Sequence, residues 1–243
     1  MQKKTIGINA LQLKILAMFC MLLDHMWATV VHGNDWMTCV GRLAFPIFAF
    51  QIAEGYAHTR DPKAYRRRLL LWAIITEIPF NLMLTGGLIY PFHQNVLFTF
   101  WLSLLIIGRV DRAWERGGLL GLVFAAVWLL AGYVLGFVGF VDYYGYGVFM
   151  TVMFWIFREK KLDQFFMMAV VNVLWMKGLV YPVSLFGWEL TIPQQAFAMF
   201  ALIPIWLYNG EQGPYNKTIR RLCYAFYPAH MFILALIGMF VLR

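Results

Sequence analysis

The chain has 243 residues, of which 62% are hydrophobic and only 13% charged, and it carries a formal charge of +8. Its mean hydropathy is +0.67, more apolar than a water-soluble domain of this length can bury. The excess must face lipid, and the positive charge is gathered in alternate loops on one side of the membrane, so its reason is topology rather than nucleic acid.

The first apolar run, 11–31, follows Lys3 and Lys4 and is long enough to cross a bilayer core. Lys14, Asp24 and His25 interrupt it, so it reads as a retained helix rather than the uniform apolar core of a signal peptide. A second run, 37–57, holds Arg42 and Glu54 and gives way to the polar stretch Ala57 to Arg68. The third, 68–85, carries Glu77 and Asn81. Two runs, 94–108 and 144–157, are short, and both are expected to kink or to reach only partly through the membrane. Between them, 117–138 is unbroken, which excludes the alternating strands of a barrel. The last three are 164–180 with Asn172 and Lys177, 193–208 with Gln195, and 221–242 with Tyr227 and His230. The string Asn209 to Pro214 stops the eighth helix. No repeat, low-complexity tract or linker divides the chain. The fold expected is all-α, a polytopic integral membrane helical bundle of about nine transmembrane helices, with residues 1–243 forming a single transmembrane domain.

Charge fixes the orientation of such a bundle. Sixteen of the twenty Lys and Arg residues fall before the first run or in the loops after the second, fourth, sixth and eighth. The other loops, near His32–Trp36, Leu88–His93, Phe140–Tyr144 and Pro182–Thr191, hold none. By the positive-inside rule the N-terminus is cytoplasmic, in a multi-pass protein of the bacterial cytoplasmic (inner) membrane. Trp36, Tyr90, Tyr143, Tyr144, Tyr181 and Trp188 lie at the outer ends, where interfacial aromatics collect.

Ionisable groups inside spans are costly and therefore informative. Lys14 and Glu54 sit toward the cytoplasmic ends and can snorkel. Asp24, His25, Glu77 and His230 lie near mid-membrane, while Arg42 and Asn95 lie near outer ends. Lys14 and His25 are eleven residues apart, three turns on one face and roughly 16 Å along the axis. That face is expected to line a path from the cytoplasmic surface inward. Asp24 is either a structural partner of Arg42 or the carboxylate that orients His25 as a base. Glu77 has Arg42 and Lys177 as candidate partners. In Tyr227-Pro228-Ala229-His230 the Tyr and His share a face, and Pro228 loosens the helix around them.

Cys20, Cys39 and Cys223 have no metal-like spacing, and no His-Glu-x-x-His, phosphate loop or nucleophile elbow is present, so no metal is expected. The remaining chemistry is acid–base catalysis or ion handling at the midplane.

Several strings resemble the TraX family of membrane proteins. They are Leu13-Lys14-Ile15 running to Leu23-Asp24-His25, Gly41-Arg42-Leu43-Ala44-Phe45-Pro46-Ile47-Phe48-Ala49-Phe50, and Ala53-Glu54-Gly55-Tyr56. They continue with Glu77-Ile78-Pro79-Phe80-Asn81, Asn95-Val96-Leu97-Phe98-Thr99 and Tyr227-Pro228-Ala229-His230. The resemblance implies an acetyltransferase that uses cytoplasmic acetyl-CoA to modify an extracytoplasmic acceptor, such as a pilin amino terminus or a glycan. A more distant likeness is to membrane acyltransferases that modify sugars, one group of which has a basic residue ten intervening residues before a histidine. Lys14 and His25 reproduce that spacing, with Lys where Arg is commoner.

On this reading Lys14 and the cluster Arg66, Arg67 and Arg68 hold the phosphates of the acyl-CoA. His25 or His230 takes the acceptor's proton, with Asp24 or Glu77 holding the base. Arg42 or Asn95 polarises the acyl carbonyl, and Glu54, Asn81 and Tyr227 complete the binding set. The alternatives are a small transporter or proton-coupled carrier, or a structural subunit of a pilus or secretion assembly.

Overall fold

The computed structural model describes residues 7–176, 178–185, 187–214 and 216–240. Lys3, Lys4 and Lys177 lie outside them. The helices are α1 Ala10–Thr29, α2 Asp35–Gly41, α3 Ala44–His58, α4 Pro62–Thr85, α5 Val96–Glu115, α6 Gly118–Val138 and α7 Tyr144–Ile156. Then come α8 Lys161–Ala169, a hairpin of β1 Val180–Leu185 and β2 Trp188–Pro193, α9 Leu202–Trp206 and α10 Lys217–Phe240. Among the described residues five helical stretches are long and apolar enough to cross a membrane: α1, α2 with α3, α4, α6 and α10. The molecule is thus a helical membrane protein. Shorter apolar stretches at Tyr144–Ile156 and Gln194–Trp206 pack among these.

Four departures from the expected elements have local causes. The second run is broken between α2 and α3 at Arg42 and Leu43. Pro46 supplies no N–H to the Arg42 carbonyl one turn back, so the ladder must lapse there. The fourth run, expected to be short, is a 20-residue helix capped by the Asn95 side chain on the Leu97 amide. Its last turns carry Arg109, Asp111, Arg112 and Glu115, and hydropathy marks lipid contact, not helicity. Likewise α4 starts at Pro62, behind the Asp61 cap on Ala64, well before the apolar stretch begins. The seventh run does not continue to 180. After Ala169 it widens into a π-helical segment, Val170–Trp175, and the chain turns into the antiparallel hairpin, where Val180 pairs with Pro193 and Leu185 with Trp188. The eighth begins as a 3-10 helix, Gln194–Ala201, before α9.

Helix α3 occupies the middle, packed on α1, α5, α7 and the 3-10 segment. One buried apolar cluster runs from Leu13 and Ala17 through Ile47, Leu104 and Phe154 to Met231. The lipid-facing sides are equally plain: Leu71, Ile74 and Ile78 on α4, and Leu119, Leu122 and Leu130 on α6, are all more than half exposed.

The helix ends are tied together on both sides of the bundle. At the basic end the Ile8 and Ala10 amides bond to the carbonyls of Leu207 and Glu211, both at 2.8 Å, and the Tyr56 hydroxyl donates to Asp111 at 3.1 Å. At the opposite end the Gln94 amide bonds to the Phe140 carbonyl at 2.8 Å, and the Asp142 amide to the Gln94 carbonyl at 2.9 Å.

Candidate functional site

Residues Lys14, Met18 and Met21 follow one another at helical spacing on α1 and line a cavity of about 130 Å³ between α1, α3, α4, α5 and α10. Its other walls include Gln51, Tyr65, Leu97, Phe226 and Tyr227. A wider hollow of about 520 Å³ at the basic end shares Lys14, Gln51, Tyr65 and Tyr224 with it, and adds Glu54, His58, Arg68 and Arg220. One route therefore leads from the basic surface past Lys14 into the bundle. The stripe that begins at Lys14 reaches His25 one turn beyond Met21, as its spacing predicts.

At that depth two histidines from opposite ends of the sequence meet. His25 Nδ1 lies 2.7 Å from His230 Nε2, and the rings stack with centroids 5.0 Å apart. The second nitrogen of His230, Nδ1, lies 2.8 Å from the Phe226 carbonyl. A carbonyl can only accept, so His230 Nδ1 carries hydrogen. In the neutral pair His230 Nε2 is then an acceptor and His25 Nδ1 its donor. The proton-accepting lone pair is left on His25 Nε2. Phe226 and Tyr227, which wall the cavity, also pack on His230, with ring centroids 4.7 Å and 5.8 Å away. The pair thus adjoins the inner end of the route. Pro228 in α10 cannot bond to the Tyr224 carbonyl, which leaves this part of the helix free of one ladder contact.

Asp24, next to His25 in sequence, is engaged elsewhere. It accepts from Arg42 at 2.5 Å and from the Thr38 hydroxyl at 2.6 Å, while Arg42 also donates to Thr38. Neighbouring residues on a helix point about 100° apart, and the structure uses that angle to send Asp24 to α2 and His25 to α10. Gly41 makes room, because a Cβ there would overlap the Asp24 side chain. The partner of His25 is therefore a histidine, and the Asp24–Arg42 pair ties α1 to α2 behind it.

Glu77 and Asn95 form a separate group. The Asn95 amide nitrogen Nδ2 donates to Glu77 Oε2 at 2.6 Å and to the Ala73 carbonyl at 2.9 Å. Asn95 thus caps α5 and joins it to α4. Asn81, one turn after Glu77, donates to the Leu88 carbonyl at 3.3 Å. Neither Arg42 nor any other described cation lies within ion-pair distance of Glu77.

The basic cluster divides. Arg68 lines the hollow with Lys14, whereas Arg66 lies against Gly108 of α5 and Arg67 is exposed away from both cavities. Three successive helical residues cannot face one ligand, and Arg220 of α10 joins Arg68 instead. Glu54 bonds to His58 at 2.8 Å on the hollow's rim.

Sequence reasoning passed over Asp142, Thr38 and His93. Asp142 accepts from His93 at 3.3 Å and from the Tyr143 amide at 3.0 Å. It sits in a turn where Phe140, Tyr143 and Tyr144 have φ of 49°, 58° and 46°, a conformation unusual for aromatic residues. The available signal was a single acid between aromatics in an otherwise uncharged loop. The Asp142 hydrogen bond holds the His93 imidazole above its ordinary pKa. Among the described residues no cluster of His, Cys, Asp and Glu fits a metal ion.

The family profile described as "TraX protein" matches residues 10–238. The chain belongs to the TraX family. A probable fimbrial assembly protein FimC, serogroup H1, of Dichelobacter nodosus is 26% identical over 98% of this chain and 99% of its own length. Protein TraX of Escherichia coli is 34% identical over 36% of this chain and 34% of its own length. No solved structure matches significantly. The profile spans both histidines, the Asp24–Arg42 pair and the Glu77–Asn95 group, so in this TraX-family chain the whole constellation lies within the matched region.

Proposed function

We propose that this protein is an integral membrane acyltransferase of pilus assembly, moving acetyl from cytoplasmic acetyl-CoA to an extracytoplasmic amine or hydroxyl. The observation that carries the reading is the His25–His230 pair beside the inner end of a route entered past Lys14. The fimbrial name of the full-length relative supports the setting.

The residues divide the work. Lys14, Arg68 and Arg220 line the basic mouth and attract the phosphates of the donor. The thioester reaches inward along the apolar wall of Met18, Met21 and Phe226. The acceptor enters from the opposite end, and its nitrogen or oxygen attacks the thioester carbonyl. A C–N or C–O bond forms, the C–S bond breaks, and the acceptor's proton passes to His25 Nε2 and then to the departing thiolate. The imidazolium formed on His25 keeps its Nδ1–H on His230, which fixes the ring and spreads the charge. His230 acts here as an orienting partner, in the place that a carboxylate takes in other histidine bases.

The test is acetyl-CoA binding and thioester hydrolysis by the purified protein in nanodiscs, beside His25→Ala, His230→Ala and Lys14→Ala. The wild type should bind and slowly hydrolyse. His25→Ala should bind yet lose about a hundredfold or more in turnover, and Lys14→Ala should bind more weakly, most clearly at low salt. No binding at any salt concentration would overturn the donor.

A further inference from the structure

Helices α5 and α6 form a close antiparallel hairpin whose turn lies at the basic end. Gly117 and Gly118 make that turn with φ of 69° and 58°, a backbone state that glycine takes freely. Gly121 and Gly132 let the helices touch, since a Cβ would lie 2.6 Å from the Ala113 carbonyl oxygen at the first and 2.7 Å from Ile106 at the second. The last turns of α5 therefore lie directly against the first turns of α6. Arg109 and Arg116 are two turns apart on α5, and both reach across this seam. The Arg116 guanidinium sits over the Phe124 ring, 4.7 Å from its centroid, and the Arg109 guanidinium over the Trp128 ring at 4.8 Å. Arg112, between them on α5, donates its Nε to the Gly108 carbonyl at 2.9 Å. All three arginines are exposed, and none lies within ion-pair distance of a carboxylate among the described residues. The nearest acids in sequence are Asp111, which takes the Tyr56 hydroxyl instead, and Glu115, which is exposed.

The positive-inside rule explains why arginines stand at this end. It does not explain why two of them lie over aromatic rings beside lipid. A ring takes the face of a guanidinium and leaves its in-plane N–H groups for another partner. Phe124 and Trp128 are one turn apart, about 6 Å along the axis, so an anion between the two guanidiniums can meet both. A phosphate suits that fork, because it accepts paired N–H bonds. Next to the rings, Leu120, Val123 and Val127 of α6 are exposed, an apolar surface that acyl chains can cover. A free phosphate would use only the arginines, whereas a phospholipid uses both halves of the seam. A zwitterionic headgroup would bring its own cation beside three arginines, so the seam favours a lipid with net negative charge.

We infer that the α5–α6 seam is a binding site for an anionic phospholipid of the leaflet at the basic end, with Arg109 and Arg116 holding the phosphate and α6 the acyl chains. The site stands apart from the histidine pair and does not depend on the acyltransferase reading.

The test uses the full chain purified in detergent, with binding followed by the thermal midpoint and by lipid retained in native mass spectra. The probes are dioleoyl phosphatidylglycerol, dioleoyl phosphatidylcholine and inorganic phosphate. Wild type should bind phosphatidylglycerol in preference to phosphatidylcholine, and inorganic phosphate should not displace it. Arg109→Gln with Arg116→Gln should weaken phosphatidylglycerol binding about tenfold or more. Arg109→Lys with Arg116→Lys keeps the topological charge but loses the planar fork and its ring seat, so its affinity should fall between the two. Arg60→Gln with Arg67→Gln removes the same charge from exposed residues at the same end and should change little. Equal binding of the two lipids, displacement by inorganic phosphate, or a loss in the Arg60 and Arg67 control as large as in the seam variant would each overturn the site. Should the glutamine pair fail to fold, the lysine pair decides, and wild-type affinity there would overturn it.

Discussion

Asp24 and Glu77 are both carboxylates set within helices of the same bundle, and the chain treats them differently. Asp24 is met by a guanidinium and a hydroxyl, with Gly41 cleared to let the helices close over it. Glu77 takes the neutral Asn95 amide on one oxygen and has no cation within ion-pair distance among the described residues. The first arrangement is complete in itself and holds α1 on α2. The second holds α5 on α4 through amide hydrogen bonds. An ion pair makes the first strut, and amide hydrogen bonds to a carboxylate make the second.

The largest expected effect breaks the first carboxylate's environment. Arg42→Ala leaves Asp24 inside the helix pair with Thr38 alone, and an ion pair broken on one side costs about 3 kcal/mol. The thermal midpoint in detergent should fall by many degrees, and Asp24→Asn on that background should recover part of it. Glu77→Gln, which keeps the side chain's shape and breaks no ion pair among the described residues, should shift the midpoint little. Equal losses from Arg42→Ala and Glu77→Gln would show that the two carboxylates are not distinct in kind.

This contrast also explains what the sequence could and could not reveal. The spans were legible because lipid demands long apolar runs, and 117–138 and 221–242 agree with α6 and α10 to within a few residues. The Lys14 to His25 face was legible because helical spacing alone sets it. The partner of His25 was not, since 205 residues separate it from His230 and no local pattern encodes a meeting between helices. Asp24 tempted a dyad reading because adjacency in sequence looks like proximity, yet adjacent helical side chains diverge. The hairpin at Val180–Pro193 was hidden because hydropathy does not separate a short apolar strand from the end of a buried helix.

A middle-sized effect sharpens the packing side of the comparison. Gly41→Ala places a methyl group against Asp24, and relief requires α1 and α2 to part. Overpacking of this sort costs about 1–3 kcal/mol. Because His25 follows Asp24 directly, the same variant should loosen the histidine pair and reduce thioester hydrolysis as well as stability. Gly238→Ala, which meets open space in α10, is the matched control and should do neither.

The smallest effect probes the only described cation close enough to act on Glu77 electrostatically, His93. Its hydrogen bond to Asp142 raises its pKa above the ordinary 6.5, with burial opposing and Glu77 adding to the rise. A group whose folded pKa is raised gives its full stabilisation below the unfolded value and loses it as pH climbs through the folded one. The wild type should therefore lose about 1 kcal/mol or less as pH rises from below 6.5 through the folded value. His93→Gln should flatten that slope, because glutamine can donate to Asp142 but cannot titrate. The measurement is the thermal midpoint across pH 5.5 to 8.5 for both proteins; parallel curves would mean that the His93–Asp142 pair contributes no titrating stabilisation.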